Sequence, residues 1–211
     1  MRGRDIKRYG YADNGLYLIN THNGVRGCIP RIKIEDYPAV KAHLDQYWDR
    51  IATRADKGDT PYNLRNCAYL EDFNKPKVVY MEIQTDNPEE GYPFPCYSYD
   101  NKRCVVLNTA YIMSSETLDP RYVLGILNSR LGKFLVKLYV TQLQERQFRM
   151  LSQYVMKFPI ARPTREQEKE MTHLVQDILV NKSIASENRI DELAFQIYKL
   201  SEQETKILIS R

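Results

Sequence analysis

The proline-bearing segment "FPIARPT" (158–164) most constrains the fold of this chain, because the sequence pattern changes there from mixed to purely helical. Proline lacks a backbone N–H and interrupts helices and sheets, so the segment predicts a connector. Directly after it, Thr164 and Gln167 have the spacing of a capping box, which marks the start of a helix. We therefore expect a helical C-terminal tail over residues 163–211 and a separate domain over residues 1–162.

Two apolar stripes at helical spacing run along the tail and predict two amphipathic helices. The segment "KSIASEN" between them shifts the register, so a break or bend is expected there. A second capping box, Ser201 with Glu204, predicts a short terminal helix. The stripes are formed by Met171, Leu174, Val175, Ile178 and Leu179, and then by Ile190, Leu193, Ala194, Ile197 and Tyr198.

Before the connector, strand-like and helix-like segments are interspersed. "GLYLIN" and "KPKVVYMEIQT" are typical of strands because apolar, β-branched and aromatic residues dominate them. In "KPKVVYMEIQT", alternation places Val79, Met81 and Ile83 on one face. "PCYSYDNKRCVVLNTAYIM" predicts two or three short strands, of which the first two are joined by a turn at residues 100–102.

Three helices are predicted before the connector. The first begins at Pro38, ends near Gly58 and places Trp48 in the core. The second begins in "DPRYVLGIL", where a capping aspartate precedes a proline, and a third amphipathic run follows in "RLGKFLVKLY". The pattern as a whole predicts an α+β fold, with a mixed, mostly antiparallel sheet and flanking helices, followed by the helical C-terminal tail.

The composition is that of an ordinary folded protein of the cytoplasm. The four cysteines form no CxxC pair and follow no signal peptide, which favours reduced thiols over disulfides or a zinc site. No apolar run approaches the roughly 18 residues that a transmembrane helix needs, so we expect no membrane association.

Positive charge is concentrated in one part of the chain. The whole chain has a net charge of +4, but residues 121–165 contain nine basic residues and one acidic residue, Glu145, and so carry +8. Such a local excess on a nearly neutral protein points to a polyanionic partner. The alternative is a helix face whose lysines and arginines are simply solvated.

The sequence contains little that indicates catalysis. Nucleotide-binding glycine motifs, HExxH and GxSxG are absent, and we expect neither catalytic residues nor a metal site in this chain. The exception is a weak nuclease-like pattern, in which Asp72 and Glu82 flank a strand. Two carboxylates can hold Mg²⁺ for phosphodiester cleavage, so a Mg²⁺-dependent nuclease fragment remains an alternative.

Several stretches together resemble the TaqI-like C-terminal specificity domain of type II restriction–modification enzymes, which is related to the specificity subunits of type I enzymes. They are, in order, "RGRDIKRYGY", "NLRNCAYLEDFNKPKVVYMEI", "NTAYIM", "YVLGILNSRLGKFLV", "FPIARPT" and "IDELAFQIYKLSEQETKILI". One departure is that relatives often carry a glycine-containing turn before the Pro-Ile segment, where this chain has "QLQERQFRMLSQYVMKFPI".

The resemblance implies a target-recognition domain that reads double-stranded DNA and follows an adenine-N6 methyltransferase domain in the same polypeptide, sometimes with a nuclease domain. "RGRDIKRYGY" would then be the first strand of the domain, and Met1 would begin a piece of a longer enzyme. S-adenosylmethionine and Mg²⁺ are expected only in the missing domains, with no cofactor in this chain.

The candidate DNA contacts are basic or amide-bearing residues in predicted loops, because such side chains neutralise phosphates and read base edges. Lys77 has the alternative of a solvated charge at a strand edge, and Arg4 that of a local ion pair with Asp5. Arg146 and Arg149 lie one helical turn apart in the most basic segment. The set is Arg2, Arg4, Lys7, Arg8, Lys75, Lys77, Asn101, Lys102, Arg103, Arg146, Gln147 and Arg149.

A further alternative is a specificity or assembly subunit that acts through protein contacts and self-associates through its helical tail. The DNA sequence that would be recognised cannot be deduced from the chain, because several residue types can read the same base.

Overall fold

The computed structural model describes residues 1–87, 89, 91 and 93–210. These residues form two compact units. One comprises Met1–Leu16 together with Asn74–Arg211, and the other comprises Tyr17–Phe73. We call them the main unit and the inserted unit. The α+β class predicted from the sequence is confirmed.

The main unit contains two antiparallel three-stranded sheets and six helices in its described part. The central sheet has the strand order β3-β1-β4 and the small sheet the order β2-β6-β5. The strands are β1 (Lys77–Met81), β2 (Ile83–Thr85), β3 (Tyr97–Asp100), β4 (Ala110–Met113), β5 (Gln142–Gln144) and β6 (Gln147–Arg149). The helices are α3 (Pro120–Asn128), α4 (Arg130–Tyr139), α5 (Ser152–Val155), α6 (Arg165–Asn181), α7 (Ile184–Ile197) and α8 (Glu202–Ile209).

The central strand β1 is buried on both faces. Val78 and Tyr80 face a large core that they share with the helices, while Val79 packs in a second cluster with Ile6 and Ala110. The sequence predicted only one apolar face for this strand. The prediction is incomplete, because the N-terminal segment covers the other face. Strands buried on both sides have apolar residues at successive positions instead of alternate ones.

The predicted helix signals are present in the structure. The Asp119 side chain accepts a hydrogen bond from the amide of Arg121 at the start of α3. Both capping boxes form, at Thr164 for α6 and at Ser201 for α8. Lys182 has φ 52° and separates α6 from α7, as the register shift predicted.

The C-terminal helices belong to the same core as the central sheet. Met171 and Val175 on α6 are fully buried in the cluster that contains Val78 and Tyr80. The domain boundary predicted after residue 162 stays a prediction. Contacts within the chain instead separate the main unit from the inserted unit. No helix in the part of the chain that the structure describes is both long and apolar enough to span a bilayer.

The inserted unit contains two short helices, α1 (Pro38–Asp45) and α2 (Trp48–Thr53). Neither has a buried residue, and the prediction that Trp48 lies in the core is wrong, since 44% of the residue is exposed. The predicted single helix ends at Asp45, which leaves Trp48 on the surface beside the Tyr62 ring. The buried Asn63 amide bonds the backbone carbonyls of Thr21, His22 and Ile32, and so connects three segments of this unit.

Two predicted strands are not formed. The "GLYLIN" segment has no regular secondary structure, and Tyr17 within it is 98% exposed. The segment 104–107 is not a strand either, so β3 and β4 do not pair with each other but flank β1. The turn expected at residues 100–102 is present, with Asp100 Oδ1 accepting from the amide of Lys102. Pairing across β1 depends on long-range contacts that local propensity does not report.

The N-terminal segment begins with a 3-10 turn, Gly3–Asp5, instead of the expected strand. Asp5 is buried and accepts hydrogen bonds from the Arg2 amide at 2.8 Å and from Arg2 Nε at 3.0 Å. Farther on, Tyr9 forms a parallel bridge with Ser98 and so extends the edge of the central sheet.

The Arg2–Asp5 contact makes the stability of the chain depend on acid pH. The hydrogen bond from Arg2 lowers the pKa of Asp5 to about 2. A carboxyl whose pKa is depressed by folding stabilises the folded state above its unfolded pKa, near 3.9, and loses this effect as the pH falls toward the folded value. We expect Asp5→Asn to lower the free energy of unfolding at pH 5, and the difference from the unmodified chain to shrink at pH 3. Urea unfolding at both pH values measures this, and a difference that grows on acidification would contradict it.

Candidate nucleic-acid interface

Strands β5 and β6 form a hairpin with an anchored base and an exposed tip. Phe148, at the centre of β6, is buried and stacks on Phe94 with the ring centroids 5.2 Å apart. Met150 follows β6, is fully buried and donates its amide to the carbonyl of Glu82. All three residues of β5, in contrast, are exposed. The hairpin therefore presents a solvent-facing tip on a fixed base.

Arg146 occupies the turn of this hairpin in a left-handed conformation, with φ 65°. Its carbonyl accepts from the amide of Asp86 at 2.8 Å, and its Nη1 donates to Asn87 Oδ1 at 3.3 Å. Arg146 and Arg149 are thus not one turn apart on a helix, because the left-handed residue reverses the chain. Glycine is the residue that most readily adopts this conformation, and here an arginine adopts it.

The outward face of the small sheet carries polar side chains that can reach a ligand. Gln147 and Arg149 flank the buried Phe148 along β6 and so point to the opposite face. Gln144 pairs with Gln147 and Ile83 pairs with Arg149, which places both partners on that outward face as well.

Five cations form a connected group that we call the cationic band: Lys133, Lys137, Arg146, Arg149 and Lys157. At one end, the Asp86 carboxylate lies 2.7 Å from Lys137 Nζ and 3.7 Å from Lys133 Nζ. Because the Asp86 amide also bonds Arg146, this residue joins the α4 lysines to the hairpin tip.

At the other end of the band, Arg149 Nε and Nη2 both lie 3.1 Å from Glu82 Oε1. Hydrogen bonds with Thr141 and Gln153, together with the charges of Lys157 and Arg149, lower the pKa of the Tyr154 hydroxyl. The Lys157 ammonium lies 6.0 Å from the centre of the Tyr154 ring. Lys157 therefore lies on the Tyr154 ring, which follows the hairpin in sequence, and the band extends from α4 across the hairpin toward the end of α5.

A polar cavity of about 270 Å³ adjoins the α4 end of the band. Lys133 lines it together with Arg8 and Arg130, which come from distant parts of the sequence. Both arginines are held by carboxylates of α7, Arg8 by Glu187 at 2.9 Å and Arg130 by Asp191 at 3.1 Å. The candidate residue Arg8 is thus close to the band, but it already has an acidic partner.

Other candidate residues lie at the opposite end of β1. Lys77 pairs in register with Asp100, so the loop before β1 adjoins the loop after β3. The hairpin instead adjoins the end of β1 at Met81, four residues along the strand, on the order of 13 Å away. The structure therefore divides the candidates between two places. The exposed residues at the far end are Lys75, Asn101, Lys102 and Arg103.

Lys77 is not accessible to DNA, which corrects the prediction that it contacts a base or phosphate. Its side chain is 0% exposed, and its Nζ lies 2.5 Å from Asp100 Oδ2 in the core. The alternative of a solvated edge charge is wrong for the same reason. Because β3 and β4 cover β1 from both sides, the start of β1 is interior.

The N-terminal candidates are only partly available. Arg2 is engaged by Asp5, so the expected pair of Arg4 with Asp5 is replaced by Arg2 with Asp5. Arg4 and Lys7 are exposed, and Lys7 Nζ is 3.4 Å from the Arg4 carbonyl.

Sequence reasoning missed Gln142 and Gln144, which are exposed on β5 beside the candidate Gln147. Lys133, Lys137 and Lys157 were recognised as part of a basic segment but were not included among the contacts. The alternation of polar and apolar residues in "QLQ", next to an arginine-containing turn, was the sequence signal that could have predicted this strand.

The structure adds no support for a nuclease. Glu82 is bound to Arg149, and Asp72 belongs to the inserted unit whereas Glu82 belongs to the main unit. Within residues 1–87, 89, 91 and 93–210, no group of three or more histidine, cysteine, aspartate or glutamate side chains is placed to hold a metal ion.

Comparison with known proteins decides the family. The TaqI-like C-terminal specificity domain matches residues 1–160, about three quarters of the chain. The chain belongs to this family. The matched residues include both sheets, the hairpin and α3 to α5, and the match ends within the proline-bearing connector.

A curated relative is similar over a longer stretch. The "Type II methyltransferase M.BstVI" of Geobacillus stearothermophilus is 24% identical over 203 residues, which is 92% of this chain and 33% of the relative. The chain thus spans about a third of the length of the relative that it matches.

Proposed function

We propose that this specificity domain binds double-stranded DNA through the cationic band and the hairpin, and that it directs an adenine-N6 methyltransferase domain of the same polypeptide to its site. The observation that carries the proposal is the junction at Asp86, where the lysines of α4 and the hairpin tip form one surface. Membership of a specificity-domain family and similarity to a type II methyltransferase support it.

The band is suited to phosphates because four of its cations are exposed, Lys133 is half-buried, and most of the five are held in position. Acidic residues contact most of them, since Asp86 serves two lysines and Glu82 serves Arg149. The cations are more exposed than these carboxylates, with 38% of the Lys137 side chain accessible against 13% of Asp86, so a DNA phosphate can approach the cations from solvent while the carboxylates still hold them. The acidic neighbours also lower the net charge of the surface, and we therefore expect moderate affinity.

Catalysis is assigned to other domains. In the proposed enzyme, S-adenosylmethionine and any Mg²⁺ bind outside this chain, while this chain fixes the enzyme on its site. A full-length enzyme that also cleaves DNA would use the same surface to recognise its site. The apolar stripes of α6 and α7, which were considered for self-association, are largely used inside the main unit.

The salt dependence of duplex binding tests the proposal. Displacement of counterions by Z phosphate contacts gives log K a slope of about −0.9Z against log salt. If four of the band cations contact phosphates, affinity for a 30-base-pair duplex falls roughly 10²-fold between 50 and 200 mM NaCl. Fluorescence anisotropy with a labelled duplex measures this. The absence of binding at 50 mM NaCl, or binding that ignores salt, would overturn the proposal.

A further inference from the structure

The hairpin is the part of the interface with the dimensions and chemistry of a base reader. The major groove of B-DNA is about 12 Å wide and admits a two-stranded β-ribbon, whereas the minor groove is about half as wide. Strands β5 and β6 form such a ribbon, and β5 is the edge strand of its sheet, so in the described part of the chain no further strand covers it.

The side chains on the hairpin are those that read base edges. Glutamine pairs with the N6 and N7 positions of adenine, and arginine pairs with the O6 and N7 positions of guanine. Gln144, Gln147 and Arg149 share the outward face, and Arg146 occupies the tip. Among the described residues, the side chains of Gln144 and Gln147 make no hydrogen bond within the protein, so their amides are available to a ligand.

The backbone of the hairpin is held in a single position. Phe148 anchors it in the core, the Met150 amide bonds Glu82, and the Arg146 carbonyl bonds the amide of Asp86. Glu82 also orients the Arg149 guanidinium through Nε and Nη2. A ribbon with a fixed backbone presents its side chains at constant positions, which base discrimination requires.

The flanking cations fix the direction of approach. Lys133 and Lys137 contact Asp86, whose amide bonds the hairpin tip, and Lys157 lies on the Tyr154 ring, after the other end of the hairpin. When such cations contact phosphates on both sides of a groove, the ribbon between them faces the base edges.

We infer that the β5–β6 hairpin enters the major groove and that Gln144, Gln147 and Arg146 read the recognition sequence, an inference that rests on the proposed DNA binding. The readers are thus contributed by a segment of eight residues, Gln142 to Arg149.

Selection from a pool of random duplexes tests this inference with the chain itself. The unmodified chain should enrich a short motif. Gln144→Ala with Gln147→Ala should relax that motif at one or two positions, while affinity for a non-selected duplex changes less than threefold, because no charge is lost. Arg146→Gly should relax another position and leave folding intact, because glycine favours the left-handed conformation found there.

A groove-blocking probe gives a second readout. Duplexes whose cytosines carry glucosylated hydroxymethyl groups, which fill the major groove, should bind at least tenfold more weakly than ordinary duplexes. Saturating netropsin, which occupies the minor groove, should have little effect.

The outcomes separate the inference from the proposed function. Unchanged motifs in the hairpin variants, a pool that stays random with the unmodified chain, or sensitivity to netropsin alone would each overturn the hairpin as reader while DNA binding stands. Failure of every duplex to bind at low salt would overturn the proposed function itself.

Discussion

Replacing Lys77 by methionine should lower the free energy of unfolding by about 3–5 kcal/mol, the range for removing one partner of a buried ion pair. Both side chains are 0% exposed, and the carboxylate of Asp100 would remain in the core without the Lys77 ammonium. Methionine has nearly the same length as the lysine stem, so the loss measures the charge and its hydrogen bonds rather than a cavity. Urea unfolding at pH 7 measures the change.

The other contacts of Asp100 determine how the loss depends on pH. Burial raises the pKa of the Asp100 carboxyl, but the Lys77 ammonium and the amides of Lys102 and Cys104 more than offset it, so the pKa lies below its ordinary value. The Lys77→Met variant lacks the hydrogen bond from Lys77, which is the largest contribution that lowers the pKa of Asp100, so this pKa rises. Protonation then relieves the buried charge as the pH falls, so the variant should differ less from the unmodified chain at pH 4 than at pH 7.

The matched control is Lys77→Met with Asp100→Asn. Asparagine removes the buried charge but keeps one oxygen, which can accept from the amide of Lys102 or of Cys104, because these two amides bond different oxygens of Asp100. The double variant should recover more than half of the stability lost by the single variant. A double variant that is less stable than the single one would show that the cost comes from packing and not from the uncompensated carboxylate.

The helices were predictable from the sequence because their signals are local. A capping box such as Thr164 with Gln167 lies within one turn, and the stripe that includes Met171 follows from helical spacing alone. The sheets were less predictable, since β3 and β4 both pair with β1 across long loops. For Trp48 the predicted helix is interrupted after Asp45, and the helix that begins at Trp48 has no buried residue.

The candidate interface shows the same limit. Basic residues 121–165 were correctly seen as a concentration of charge, but their grouping depends on Asp86, which lies on a different segment. Lys77 was misjudged because its burial depends on Asp100, more than 20 residues away. The hairpin escaped prediction because Arg146 takes a conformation that glycine or asparagine usually signals.

Charge reversal at Arg146 and Arg149 should weaken DNA binding roughly 10²-fold at 50 mM NaCl and reduce the salt slope by about one, because Arg149 loses a phosphate contact and Arg146 loses a base contact. The fold should tolerate both substitutions. Both residues are exposed, and the Arg149 pair with Glu82 is a surface ion pair worth less than about 1 kcal/mol. A loss of that size shifts the melting temperature by less than about 4 °C in a chain of this length. Anisotropy titrations of Arg146→Glu with Arg149→Glu, together with calorimetry, measure both effects.

The control for this double variant is Arg165→Glu with Lys169→Glu, which changes the net charge of the chain by the same amount on the exposed surface of α6. Long-range attraction between the chain and DNA depends on the total charge of the chain. If the loss of this attraction alone weakened binding, both variants would lose the same affinity. If binding instead requires direct contact at the band, the α6 variant should retain affinity within about threefold and keep its salt slope. Equal losses in the two variants would contradict a localised interface, and a collapsed melting temperature in the hairpin variant would make Arg146 and Arg149 structural residues.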